Sequence, residues 1–99
     1  MPDPSLHTTL LAGLLPRLRA GDPGARDELL RAARARLESL TEKMLRKFPA
    51  VARWAEAGDV FSGAAMRLLR ALESTPVSDT RAFLNLSAAM IRRELIDLA

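Results

Sequence analysis

"LLRAARARLESLTEKMLRKFP", Leu29–Pro49, is the stretch on which the fold turns. Leu29, Ala33, Leu37, Leu40, Met44 and Phe48 recur at spacings of three and four, with Leu30 and Leu45 beside them. That period returns to one side of an α-helix and matches no strand, where alternate residues would share a face. Arg31, Arg34, Glu38, Glu42 and Arg46 fall on the other side, so the helix is amphipathic and has a core to face. Pro49 closes it, because proline lacks the N–H that a helix interior needs.

Upstream, Leu10, Leu11, Leu14, Leu15 and Leu18 share one side of a helix expected from about Leu6 to Arg19. Pro16 lies within it, so that helix is kinked or begins later. "PDPS" before it reads as a flexible or capping segment. Gly21 can end this helix, Asp22 can cap the next, and Pro23 suits a first turn. Downstream, "AVARWAEAGD" allows one short helical turn. Gly58 then breaks the chain and Asp59 can cap a third main helix. Its stripe is Phe61, Ala65, Leu68 and Leu72, with Val60, Ala64 and Leu69 adjacent. "ESTPVSD" is a loop, and Ser78 or Asp79 can cap a last helix whose inward residues would be Leu84, Ala88, Ile91, Leu95 and Leu98. No period-two run and no repeat occurs. The expectation is an all-α fold, a compact bundle of about four helices forming one domain over residues 1–99.

Composition narrows the function. The 99 residues are 48% hydrophobic and 27% charged, a globular balance. There is no cysteine, which excludes disulfides and thiolate metal sites. The lone histidine, His7, has no ligand partners near it in the sequence. Leu10–Leu15 is too short an apolar run for a signal peptide or membrane span, so a cytoplasmic protein is expected. The net charge is +3, and residues 17–53 carry ten basic against five acidic side chains. That permits a nucleic-acid partner without requiring one.

Catalytic chemistry finds no residue set. No Gly-rich phosphate loop, nucleophile–base pair or metal-spaced cluster is present, so no catalytic residue, metal or cofactor is expected. Glu94 and Asp97 share a helix face, and the expected reading is a solvated pair balanced by Arg92 and Arg93. Trp54 sits in a mostly apolar stretch, which places it in the core rather than as an exposed stacking platform. Met44, Met66 and Met90 read as core filler, with Met66 nearest the edge of its stripe. Gly63, mid-helix in "SGAA", costs about 1 kcal/mol relative to alanine and so marks a close approach. Packing within the domain is favoured over a partner's helix.

Three stretches in order carry a family resemblance. "LLPRLRAGDPGARDELL" resembles the opening of extracytoplasmic-function sigma factors. "GDVFSGAAMRLLRAL" resembles their second conserved segment, and "RAFLNLSAAMIRRELIDLA" their promoter-recognition segment. Ser62-Gly63 stands where that family often has Gln-Glu, and Phe83 where it commonly has Trp. The resemblance implies the N-terminal region 2 domain of a transcription initiation factor, with the usual helix-turn-helix domain absent from this chain. It implies docking on the clamp coiled coil of the largest subunit of core RNA polymerase through Asp59, Val60, Met66, Arg67 and Arg70, with Phe61 on the same segment. It further implies capture of a flipped base of the promoter minus-ten element by the 73–81 loop and the last helix. Ser78, Thr80, Arg81, Asn85, Arg92 and Arg93 are the residues it places at DNA. Anti-sigma proteins commonly hold such domains, so one is an implied further partner.

The alternative is a helical protein–protein interaction or dimerisation domain without DNA binding. The position of the exposed arginines separates the two. A shared solvent face for Arg81, Asn85 and Arg92 beside the loop favours DNA. An apolar stripe of the last helix left uncovered favours the interaction domain.

Overall fold

In the computed structural model, the backbone is described for residues 4–99 and side chains from Leu11 onward. Met1–Asp3, and the side chains of His7 and Leu10, lie outside the described residues. Helix α1 spans Pro4–Arg19, α2 Ala25–Leu45, α3 Pro49–Ala52, α4 Ala57–Ser74 and α5 Thr80–Leu98, with no strand among the described residues. The all-α expectation holds, with the short turn after Pro49 realised as α3.

α1 runs through Pro16 to Arg19, so it does not begin later. It stops where Gly21 takes φ +82°. The Gly21 N–H then reaches the Leu18 carbonyl and the Asp22 N–H reaches that of Arg17, both at 3.1 Å. This paired reversal satisfies two of the carbonyls that a helix end leaves without partners. Asp22 was expected to cap α2 directly. Instead its Oδ1 accepts from the Gly24 N–H at 3.0 Å, and α2 begins at Ala25. Asp22 therefore organises the turn that feeds the helix, because Pro23 and Gly24 intervene.

α2 is the hub and packs against all four other helices. Its buried line is Ala25, Leu29, Ala33, Leu37 and Thr41, while Leu40 and Met44 are half-buried. The line drifts because 3.6 residues per turn do not match a strict four-residue step. It therefore meets Thr41, whose hydroxyl donates to the Leu37 carbonyl at 2.7 Å. That bond satisfies the buried polar group within the helix itself. α2 ends at Leu45, short of the expected Phe48, which is the half-buried N-cap of α3. Pro49 opens α3 rather than closing α2, since a first-turn position needs no N–H.

Two apolar clusters hold the layers together. One joins Leu11, Leu14 and Leu15 of α1 to Leu29 and Leu37 of α2, Leu68 and Leu72 of α4, and Phe83 of α5. The other gathers Val51, Ala55, Val60, Ala64, Ile91 and Leu95 around the C-terminal half of α2. The domain measures 40 × 33 × 18 Å. Helices pack about 8–10 Å apart, so the thin dimension holds two layers, and each long helix keeps an outer face.

α4 starts earlier than the sequence indicates. Glu56, not Asp59, is its N-cap, and Gly58 and Asp59 lie inside the first turn. Ala57 can enter the helix, so Gly58 does not break it. Asp59 still meets the positive end of the helix dipole there. Asp79 does cap α5, its carboxylate accepting from the Ala82 N–H at 2.7 Å, while Ser78 does not. The inward line of α5 is Phe83, Ser87, Ile91 and Leu95, one position off the expected Leu84 and Ala88, which are half-buried. Ser87 is tolerated in the core because its hydroxyl donates to the Phe83 carbonyl at 2.8 Å.

Trp54 is 63% exposed and Met66 57% exposed, so neither is in the core. Val51 and Ala55 are buried on either side of Trp54 in the chain, so the turn after α3 carries its indole to the outside. Met44 and Met90 are half-buried, as core filler should be.

Candidate functional site

Two outer faces collect the residues singled out from the sequence. The first is on α4. Asp59, Ser62, Met66 and Arg70 are all exposed and separated by three or four positions, so they form one outward stripe. Met66 is its apolar centre, flanked by an acid and a base one to two turns away. Exposed methionine set in a polar surround is a common composition for a protein-binding surface.

Val60 and Phe61 do not belong to that stripe. Val60 is fully buried and Phe61 is 8% exposed, both facing the clusters beneath α4. The Arg34 guanidinium sits over the Phe61 ring, 5.8 Å from its centroid. Arg67 lies one position round from Met66 and turns toward α5. Its Nε donates to Glu94 Oε2 at 2.8 Å, and its Nη2 donates to Asp97 Oδ2. The two carboxylates hold its pKa above the ordinary arginine value, the Glu94 hydrogen bond contributing most. Glu94 and Asp97 are thus paired by Arg67 of the neighbouring helix, not balanced by Arg92 and Arg93 as expected. No group of acidic or histidine residues able to hold a metal occurs among the described residues.

The second face is a groove of about 670 Å³ at the start of α5. Ser78, Asp79, Thr80, Arg81, Leu84 and Asn85 form one wall, Ala12, Leu15, Pro16 and Arg19 of α1 another, and Arg36 of α2 completes the lining. The loop that supplies Ser78 is anchored by Val77, only 2% exposed. Burying that one apolar side chain fixes the loop's polar residues at the rim. Asp79 then starts α5 so that Arg81 and Asn85, four apart, look outward together.

Arg92 and Ile96 continue the same outer line of α5, at steps of seven and four. Arg81, Asn85, Arg92 and Ile96 are all exposed. Arg93 is also exposed but sits on the flank of that line. Arg19, Arg36, Arg81, Arg92 and Arg93 have no carboxylate within ion-pair distance among the described residues; the paired arginines are Arg17, Arg26, Arg34 and Arg67. Arg19, Arg36 and Arg81 outnumber the one acid of the lining, Asp79, so the groove is net positive, with Asn85 and two hydroxyl residues beside them. Arginine can bond phosphate or a guanine edge, and asparagine can bond an adenine edge.

Arg19 and Arg36 are groove residues that the sequence reading did not single out. Their only signal was the basic excess of residues 17–53; which helices meet at the groove is a tertiary fact. No described helix is long and apolar enough to cross a membrane.

No curated protein and no solved structure matches the chain. A family model described as ECF sigma factor matches residues 8–99, all but the first seven residues. That family consists of transcription initiation factors that act by binding core RNA polymerase and promoter DNA, not of enzymes. The match spans both faces just described, from the α1 wall of the groove to the end of α5, and on it this chain belongs to the ECF sigma factor family.

Proposed function

We propose that this domain docks on the clamp coiled coil of the largest subunit of core RNA polymerase through Asp59, Met66 and Arg70, and that the groove and the outer line of α5 recognise and open the promoter minus-ten element. Residues 1–99 then act as a region 2 unit in the cytoplasm, with an anti-sigma protein as a competitor for the same faces.

The observation that carries the reading is the shared solvent face of Arg81, Asn85 and Arg92, with the first two at the groove rim. Extracting a base from a duplex costs a few kcal/mol, so a shaped pocket must return contacts to the extruded base. Ser78, Thr80, Arg81 and Asn85 supply donors and acceptors at that pocket, and Leu15 and Leu84 supply apolar walls. Arg92, further along α5, meets backbone phosphate, and Arg93 reaches it from the flank. The domain has no chemistry of its own; it stabilises the opened state of the DNA.

The interaction-domain alternative draws less support. The inward line of α5 is fully covered, and Ile96 is the one large apolar residue of that helix on the outside, 53% exposed.

Titrating the chain into bacterial core RNA polymerase tests the first half, with Met66→Asp and Arg70→Glu as variants that leave the core untouched. Saturable binding weakened by both supports the α4 stripe. A single-stranded minus-ten oligonucleotide library tests the second half, with Arg81→Ala and Asn85→Ala. Affinity that falls steeply with salt but shows no sequence preference would remove the recognition role and leave only phosphate attraction.

A further inference from the structure

Arg67 is the residue whose surroundings fit a surface role least. It spans from α4 to α5 and engages two carboxylates one turn apart, Glu94 and Asp97. A guanidinium is planar and presents its donors as a fork, so holding two acceptors at once fixes its direction. Glu94 is more enclosed than either partner, its side chain 17% exposed against 33% for Arg67 and 52% for Asp97. Gly63 lies one turn before Arg67 on α4. A Cβ built there would lie 2.3 Å from Glu94 Oε1 and 2.5 Å from its Cδ. The glycine leaves the slot that the Glu94 carboxyl fills.

Four residues thus make one device: Gly63 opens the space, Glu94 enters it, and Arg67 and Asp97 close it. The positive charge of Arg67 is more than balanced by its two carboxylates, so Arg67 offers a docking partner little free charge. The outward stripe of Asp59, Met66 and Arg70 passes beside it.

We infer that Arg67 is a positioning residue that locks α5 to α4 through Glu94 and Asp97, holding the polymerase-facing and DNA-facing surfaces in one fixed orientation, and that it is not a polymerase contact. The inference rests on the proposed roles of those two surfaces, but the lock itself can be read without either partner.

The test is a charge-swap cycle in the full chain, built on Asp97→Asn so that no carboxylate faces the exchanged one: Arg67→Glu, Glu94→Arg and the two combined. Amide hydrogen exchange along the last turns of α5 reads the lock. Affinities for core polymerase and for a minus-ten oligonucleotide read its consequence. Arg67→Glu should speed exchange and weaken both affinities. The double variant should restore all three to within about threefold of the Asp97→Asn chain, since the pair is re-formed with its charges exchanged. Arg67→Lys, a single-point donor, should fall between.

Exchange that does not change in Arg67→Glu, or does not recover in the double variant, overturns the lock. Exchange that recovers while polymerase affinity stays lost shows that Arg67 touches the polymerase, and overturns the positioning role. A parent chain that fails to bind polymerase at all sinks the functional reading instead, and the exchange cycle still decides the lock.

Discussion

The Glu94 carboxyl occupies the place where a side chain on Gly63 would stand, 2.3 Å from the position of its Cβ. Glycine in a helix interior costs about 1 kcal/mol against alanine, so this contact must compensate for a local penalty. Gly63→Ala in the parent chain should bring little or no stabilisation, because the methyl group displaces Glu94 and breaks its pairing with Arg67. In a Glu94→Ala background the same substitution should stabilise by about 1 kcal/mol, the helix propensity difference alone. Urea unfolding followed by circular dichroism measures both. Equal gains in the two backgrounds would mean that Glu94 moves aside at no cost.

Val60 and Met66 share a helix and face opposite ways. Met66→Ala should leave stability within about 0.5 kcal/mol and lower polymerase affinity. Val60→Ala should cost about 1–3 kcal/mol by opening a cavity against Ile91 and Leu95, with polymerase affinity unchanged while the domain stays folded. Parallel thermal melts and binding titrations separate them. Affinity lost in the Val60 variant alone would reverse the assignment of faces.

Asp79 holds the first turn of α5 through the Ala82 N–H. Asp79→Ala should cost about 1 kcal/mol, the usual worth of an N-cap, and Asp79→Asn much less, since the amide oxygen can still accept. Because this cap also sets the groove wall, oligonucleotide affinity should follow the same order in a fluorescence anisotropy titration.

Asp22 accepts from Arg17 Nε at 2.8 Å and from the Gly24 N–H at 3.0 Å. Arg17 first, and the backbone donor second, hold its pKa below the ordinary carboxylate value. A depressed native pKa means the unfolded chain binds the proton more readily. The contribution is therefore complete above the usual aspartate pKa of about 3.9 and is lost as pH falls through the lower native value. Asp22→Asn should flatten the acid limb of stability against pH below about 4 and leave the neutral region unsloped. Denaturant midpoints taken between neutral and acid pH give the comparison. An unchanged acid limb would assign that slope to other carboxylates.

Trp54 is the sole tryptophan. Its emission should respond to acrylamide in the native state nearly as strongly as in the unfolded chain, and Trp54→Phe should change stability by less than about 0.5 kcal/mol. A blue-shifted, protected emission would contradict its exposed position.

Much of the architecture was legible because periodicity and turn chemistry are local. The apolar spacing of Leu29, Ala33 and Leu37 marked α2, the Gly21 reversal ended α1, and Asp79 capped α5, each from residues within a few turns of one another. Errors arose where a helix's rotation is set by its neighbours. Phe83 and Ser87, not Leu84 and Ala88, face inward because α5 is rolled to fit α2 and α4. Trp54 looked buried because its flanks, Val51 and Ala55, are; direction out of a short turn is not written in composition. Arg67 looked outward by spacing, yet carboxylates twenty-seven and thirty residues on redirect it. The groove itself, with Arg19 and Arg36 drawn from two other helices, exists only once the helices have packed.

On α5 the residues of the core and those of the outer row are separate. Phe83, Ser87, Ile91 and Leu95 hold the domain together, while Arg81, Asn85, Arg92 and Ile96 stay exposed. Substitution along the outer line therefore meets little thermodynamic resistance, since exposed sites outside special contacts tolerate change. Under the proposed role of that row, promoter preference would change by altering one line of a helix, without first acquiring a more stable scaffold.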